Sequence, residues 1–359
     1  MAKDKIKIGL IATGGIAQWA HIPGYLEASD ECEIVWACDI KEDLMNEIAD
    51  KYDIPNRSVD YRDILADPTV DAVSVMTPNL LHMQPTIDAL EAGKHVLCEK
   101  PMSMNAEQSK AMCRAAEKSG KILQIGLQQR FTGPGQWMKK YIDGGNMGDI
   151  YYARAQALRR RGVPGWGVFI DKEKQGGGPL IDIGVHILDF TLYLMGYPTP
   201  VSATGKTWDM LGKDPNIVNL FGDYDRTKFT VEDMAVGFIR FDNGAVITLE
   251  SSFMANIDSS DPYNTQLFGT KGGAEVSFYK EKGVKIYTEA NQQLMDITPA
   301  NMLDVPYPHR LEIKAFLEAI REGKESPVPG RCGLILNAVF DALYKSAQTG
   351  KEEAIDISL

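Results

Sequence analysis

The chain has little that would tie it to a membrane, to nucleic acid or to an oxidising compartment. Only five of its 359 residues are cysteine, and Cys32, Cys38, Cys98, Cys113 and Cys332 show no paired spacing. Reduced thiols in a reducing compartment are therefore expected, not a disulfide framework. Basic residues are in deficit: 38 Lys and Arg against 49 Asp and Glu leave a net charge of −11. That balance argues against nucleic acid or an anionic membrane as the main partner. No apolar run approaches membrane-spanning length. Residues 1–8 lead directly into a strand-like segment, without the apolar stretch of a secretion signal. A cytoplasmic location is the expectation. Internal repeats and low-complexity linkers are also missing.

What is present is ordinary globular material, 24% charged and 44% hydrophobic, in a chain long enough for two domains. The first third alternates short apolar runs with helical stretches. Ile6–Ile11, Glu33–Cys38, Ala72–Met76, His95–Cys98 and Ile122–Gly126 read as strands. Residues 43–52, 83–92 and 105–119 read as helices, the last with Asn105 as its cap and Gly120 as its stop. Repeated β-α-β of these lengths gives an open parallel sheet over residues 1–126. From 127 to 359 the texture changes. Ile150–Leu158, Met234–Phe241, Ala245–Ser252, Thr265–Gly269 and Gly273–Phe278 are strand-like, with turn signals at Asp242-Asn243-Gly244 and Lys271-Gly272-Gly273. Helices are expected over Pro179–Met195, Arg310–Glu322 and Cys332–Thr349. The second domain is thus α+β with a mainly antiparallel sheet.

The first strand runs into Ala12-Thr13-Gly14-Gly15-Ile16-Ala17. The dinucleotide fingerprint is G-x-G-x-x-G/A, so Ala12 stands where its first glycine belongs. Gly14 lets the backbone approach a pyrophosphate, and Ala17 permits close helix–strand packing. Alone, the motif also describes a generic tight β–α turn. Asp39, ending the second strand, adds an acceptor for an adenosine ribose and repels a 2′-phosphate, which favours NAD over NADP. Read alone, Asp39 is also a helix cap or a surface acid, and Lys41 beside it partly offsets the repulsion. Thr77-Pro78-Asn79, with His82 after it, lies on the same rim of the sheet. The cofactor contacts expected are Ala12, Thr13, Gly14, Gly15, Ile16, Asp39, Thr77, Pro78, Asn79, His82, Glu99 and Lys100.

Cys98-Glu99-Lys100-Pro101 closes a further apolar strand, and Gly176–His186 follows some 80 residues later. Lys100 can stabilise developing alkoxide charge. His186 suits proton exchange, since histidine ordinarily titrates near ~6.5. Asp182, four residues before His186, shares its face if the segment is helical, and orients a hydroxyl or tunes the histidine. Each has a blander reading: a surface lysine before a turn, a core histidine, an acid at a helix start. All three in order on this architecture read as a proton-handling site beside a dinucleotide, hence hydride transfer. Asp182, His186 and Asp189 also fall at i, i+4 and i+7, a possible metal face. Nicotinamide chemistry with a lysine needs no Lewis acid, so no metal is expected, and Asp189 reads as a support of the helix or an interface. Arg159-Arg160-Arg161 and Trp166 precede the glycine run. Trp166 could stack on a ring and the arginines could grip an anion, or the segment could be an oligomer contact. Gln129 and Arg130 are further pocket candidates, and His309 reads as structural.

At this point the chain resembles the glucose–fructose oxidoreductase, inositol dehydrogenase and rhizopine-catabolism (Gfo/Idh/MocA) family. The residues that carry the resemblance are the Ala12–Ala17 turn, His21 with Pro23, Asp39, Thr77-Pro78 with His82, Glu99-Lys100-Pro101, Gly176–His186, and Ser346-Ala347 with Gly350-Lys351. Ala12 departs from the family pattern. The resemblance implies an N-terminal Rossmann domain and a C-terminal domain whose open sheet makes homodimers or homotetramers. It implies a secondary alcohol of a sugar, glycoside or cyclitol as substrate, with NAD, favoured by Asp39, as the expected cofactor. Lys100, Asp182 and His186 match the family's catalytic positions. The loop through Trp166 is similar to that of gut-bacterial glycoside 3-dehydrogenases, which narrows the expectation to C3 oxidation of a glucose or glycoside. Substrate contacts are expected from Lys100, Gln129, Arg130, Arg159, Trp166, Asp182 and His186. The alternatives are an NAD-assisted glycosidase working by transient oxidation and elimination, and a non-catalytic sugar-sensing regulator.

Overall fold

The computed structural model describes residues 4–258, 263–277, 283–302 and 305–359. The chain divides into two compact units. The first takes the residues through Gln128 with Tyr307–Leu334 and Ser358–Leu359; the second takes Gln129–Pro306 and Ile335–Ile357. Tyr307–Leu334, which the change of texture grouped with the second domain, therefore packs in the first. The reason lies in helix Pro308–Glu322. Its Ile313, Phe316 and Leu317, spaced for one helical face, enter the same core as Ile8, Leu10, Ala37 and Ile48.

In the first unit, β1 (Ile6–Ile11), β2 (Cys32–Cys38), β3 (Asn56–Ser58), β4 (Ala72–Val75), β5 (His95–Glu99) and β6 (Leu123–Gly126) form one sheet in the order β3-β2-β1-β4-β5-β6. Every neighbouring pair is parallel. Helices cover such a sheet on both sides, which is why β4 is buried along its whole length. The order reverses between β1 and β4, and ligands bind at the carboxyl ends of strands beside such a reversal. Helix Ala106–Ser119 starts where Asn105 accepts the Gln108 N–H at 3.0 Å, and stops at Gly120, whose φ is 66°.

Among its described residues the second unit holds nine strands: β7 (Ile150–Leu158), β8 (Pro200–Trp208), β9 (Met234–Phe241), β10 (Val246–Ser252), β11 (Tyr263–Gly269), β12 (Gly273–Ser277), β13 (Val284–Ala290), β14 (Gln293–Ile297) and β15 (Glu353–Ala354). Their order is β14-β13-β12-β11-β7-β10-β9-β8-β15. β7 and β10 run parallel, and the other pairs are antiparallel. Phe278, expected at the end of β12, lies outside the described residues. On one face Ala153, Ala155 and Ala157 are buried, small enough for helix Gly184–Leu194 to lie close. The opposite face is laced by side chains. Tyr152 meets Thr248 at 2.8 Å, Arg154 donates to Gln266 at 3.0 Å, and Gln156 donates to Glu250 at 3.1 Å.

The expected helix Pro179–Met195 is two. Pro179–Asp182 ends at Ile183, and Gly184–Leu194 follows. The Pro179 carbonyl accepts both the Ile183 N–H at 3.1 Å and the Ser251 hydroxyl at 2.6 Å, and the interruption falls at Ile183, whose φ is −109°. Asp182 and His186 thus sit on either side of a break, not on one continuous helical face.

Candidate active site

The first strand delivers a tight turn into a helix, the context a dinucleotide fingerprint needs. Ala12, whose N–H donates to the Cys38 carbonyl at 2.8 Å, has a φ of 80°. This is left-handed backbone that glycine adopts freely and alanine adopts at a cost of about 1–2 kcal/mol. The turn is held from β2. Asp39 Oδ2 accepts from the Thr13 N–H at 2.8 Å and from the Thr13 hydroxyl at 3.2 Å, while Oδ1 accepts from the Lys41 N–H at 2.9 Å. Beyond Thr13, nothing lies within 4 Å of where a Cβ would stand on Gly14 or Gly15. Ile16 is already helical. Open space over two glycines at a helix start fits a pyrophosphate.

Beside it, the Thr77 hydroxyl donates to the Leu81 carbonyl at 3.0 Å, closing the turn through Pro78 and Asn79. His82 is buried, with Nε2 2.7 Å from the Thr77 carbonyl and Nδ1 2.8 Å from the Pro101 carbonyl. Burial lowers its pKa, against the pull of the two carbonyls and of Glu99. A neutral ring has one N–H and serves one of these carbonyls at a time. The imidazole therefore packs between the Thr77 turn and the turn that carries Lys100, donating to one of the two. Lys100 is partly exposed, and its peptide bond to Pro101 is cis.

In the second unit the glycine run is dictated by its neighbours. A Cβ on Gly177 would lie 1.9 Å from the Tyr344 hydroxyl, and one on Gly178 would lie 2.1 Å from the Glu232 carbonyl oxygen. The close approach lets the Glu232 carboxylate cap the helix that ends in Asp182. It accepts from the Gly178 N–H at 2.9 Å, the Leu180 N–H at 3.2 Å and the Tyr344 hydroxyl at 2.8 Å. Burial pushes the Glu232 carboxyl up, and these donors pull it back only in part. Sequence reasoning missed Glu232; its partners are distant in sequence, and nothing local marks it. Asp182 is buried and His186 half-buried.

The remaining candidates fall in different settings. Gln129 is buried, and its carbonyl accepts from Thr132. Arg130 forms a buried ion pair with Asp189: its Nε donates at 2.9 Å, and its Nη2 reaches the other carboxylate oxygen and the Tyr197 hydroxyl. Asp189 thus supports its helix through an arginine. Among the described residues no group of three or more His, Cys, Asp and Glu side chains could hold a metal ion. Arg159 donates to the Gly162 carbonyl at 3.1 Å and to the Tyr263 hydroxyl at 3.3 Å, and its guanidinium lies 5.1 Å from the centre of the Phe221 ring. It ties its own loop to Tyr263 and Phe221. Trp166 is 58% exposed, with an edge contact to Phe169.

Residues 6–127 match the NAD-binding Rossmann fold of the oxidoreductase family Gfo/Idh/MocA, and residues 139–356 match that family's C-terminal alpha/beta domain. The chain belongs to the Gfo/Idh/MocA family. It is an oxidoreductase with NAD as cofactor, as the fingerprint turn and Asp39 suggested. A D-glucoside 3-dehydrogenase of Escherichia coli is 36% identical over 98% of this chain and 97% of its own length. A scyllo-inositol 2-dehydrogenase (NAD(+)) of Bacillus subtilis is 27% identical over 99% of this chain and 98% of its own length. Among solved structures, levoglucosan dehydrogenase in complex with NADH and levoglucosan shares the fold. Its TM-score is 0.86 at 24% identity, covering 98% of this chain and all of that one. No helix among this member's described residues is long and apolar enough to cross a membrane.

Proposed function

We propose that this Gfo/Idh/MocA member oxidises the C3 hydroxyl of a glucoside to a ketone, with NAD as acceptor. The observation that carries this reading is the 36% identity to D-glucoside 3-dehydrogenase over nearly the whole of both chains. NAD, when bound, supplies the hydride acceptor. The chain's own residues handle the proton. His186 takes it from the hydroxyl, Lys100 steadies charge on the same oxygen through its ammonium, and Asp182 orients a neighbouring hydroxyl. Glu232, by capping the helix before Asp182, fixes where that carboxylate stands. Arg130 and Arg159, engaged with Asp189 and Tyr263, shape the surroundings and leave the exposed Trp166 as the ring-stacking contact.

We place the enzyme in the cytoplasm, in keeping with five buried free cysteines, four of which (Cys32, Cys38, Cys98 and Cys113) burial pushes up to about 12. We assign the laced face of the nine-stranded sheet, where Phe238 and Tyr287 stand half-exposed, to a homodimer or homotetramer contact. The experiment that tests the activity is a panel of glucosides, free sugars and cyclitols with NAD, followed by NADH absorbance and mass spectrometry. A product two hydrogens lighter than a glucoside, with NADH formed in step, supports the reading. Turnover confined to cyclitols overturns it, and so does release of aglycone without net NADH.

A further inference from the structure

His21 is a histidine for which the proposed reaction has no use, yet the fold goes out of its way to bury it. The helix after the fingerprint turn changes to a π-helical turn over Ala17–His21 before continuing as α-helix Ile22–Glu27. Such turns re-aim a side chain and cluster at functional sites. Here His21 is 1% exposed and points at β5 and β4. Its Nε2 lies 2.8 Å from Glu99 Oε1, and its Nδ1 lies 3.3 Å from the Ser74 hydroxyl. That hydroxyl in turn lies 2.7 Å from the Tyr25 hydroxyl. The other Glu99 oxygen, Oε2, accepts the N–H of Lys100 at 3.1 Å.

The proton positions follow from the partners. A carboxylate only accepts, so His21 Nε2 carries a hydrogen. A neutral ring then accepts at Nδ1 from Ser74, whose oxygen accepts from Tyr25. One directed chain, Tyr25 to Ser74 to His21 to Glu99, uses each donor once with the ring neutral. Burial works to raise the Glu99 carboxyl, but the hydrogen bond from His21, with the Lys100 charge nearby, outweighs it and holds the group below its ordinary value. The carboxylate has little room to move: a Cβ on Gly126 of β6 would already lie 3.0 Å from Oε1.

We infer that His21 is a positioning residue for Lys100, holding the lysine's turn in place through the Glu99 carboxylate. This rests on the reading of Lys100 as the group that meets the reacting oxygen. The turn is held at the Lys100 N–H by Glu99 and His21, and His82 Nδ1 stands 2.8 Å from the Pro101 carbonyl. Removal of the hold through His21 frees the ammonium to wander, and a misplacement of about 1 Å at a reacting centre can cost roughly 100-fold in rate.

The test compares His21→Leu, His21→Gln, Lys100→Met and the double variant His21→Leu/Lys100→Met, each checked for fold by circular dichroism and for NAD binding by calorimetry. His21→Leu is expected to lower kcat by roughly 10- to 100-fold with NAD affinity and glucoside KM little changed. His21→Gln, whose amide can donate to Glu99 from the same place, recovers most of that loss. In the Lys100→Met background, His21→Leu adds no further loss, because the group it positions is gone. Full kcat in folded His21→Leu overturns the inference. Equal losses in Leu and Gln do so too, as does a loss that simply adds to that of Lys100→Met. If His21→Leu does not fold, Ser74→Ala carries the test: a fall in kcat at constant KM supports the chain of bonds, and an unchanged kcat refutes it. Normal turnover in Lys100→Met alone defeats the reading of Lys100 itself, a result no His21 variant can imitate.

Discussion

The Asp39 carboxylate holds the fingerprint turn by accepting the Thr13 N–H at 2.8 Å, so the residue expected to read the cofactor's ribose also fixes the loop expected to meet its pyrophosphate. One substitution should therefore change two quantities. Asp39→Ala is expected to narrow the preference for NAD over NADP, since a like charge facing a phosphate costs on the order of several kcal/mol. It should also weaken NAD binding itself. Calorimetry with both cofactors checks this; a narrowed ratio at unchanged NAD affinity would mean that Thr13 needs no tether.

Ala12→Gly should stabilise the protein. Relief of the left-handed alanine returns about 1–2 kcal/mol, and the greater freedom of glycine in the unfolded chain takes back about 0.4–1. A net gain near 0.5–1 kcal/mol is expected, read as a higher denaturation midpoint in urea. A lower midpoint would show that the alanine methyl packs to more effect than its backbone strains.

His309 sets part of the acid limit of stability. Burial lowers its pKa from 6.5 to about 4, with Glu99 opposing the depression and Lys100 adding to it. Below pH 6.5 the unfolded chain takes up a proton that the folded chain refuses, so stability falls as pH drops from 6.5 towards 4 and levels off below. At ~1.4 kcal/mol per pH unit that fall amounts to about 3–4 kcal/mol across the window. His309→Gln should flatten that part of the curve, measured as the change in melting temperature with pH. A slope equal to that of the parent would place the depression elsewhere.

Trp166→Ala tests the ring-stacking contact. Aromatic anchors are often worth about 2 kcal/mol, so kcat/KM for the best glucoside should fall roughly 30-fold with NAD affinity spared. Unchanged kinetics together with an altered subunit mass in light scattering would move the tryptophan to a contact between copies.

What the sequence made legible was local or periodic. Asn105 and Gly120 bound their helix because a cap needs only its near neighbours. The parallel sheet was readable because strands such as Ala72–Val75 are apolar but for one small serine and carry no alternation. β14 escaped notice because it is exposed along its whole length and carries no alternation. The break at Ile183 was hidden because the segment from Pro179 to Leu194 is apolar nearly throughout and carries no proline or cap at that point. Ala12 could be seen to replace a glycine, but only the backbone angle reveals that it takes the glycine's conformation. His21 stood in the family pattern without a reason until Glu99 was found against it.

The approach of Gly177 to Tyr344 also bears on how this enzyme can change by mutation. With the tyrosine hydroxyl 1.9 Å and its ring carbon 2.7 Å from where a methyl would stand, no aromatic residue at 344 tolerates even alanine at 177. Trimming 344 to make room strips the buried Glu232 of a donor, so each single step is harmful and only a concerted exchange passes. Trp166 stands in an exposed loop under no comparable lock. Drift in substrate choice should accumulate there, around a glycine block that stays frozen while its surroundings diversify.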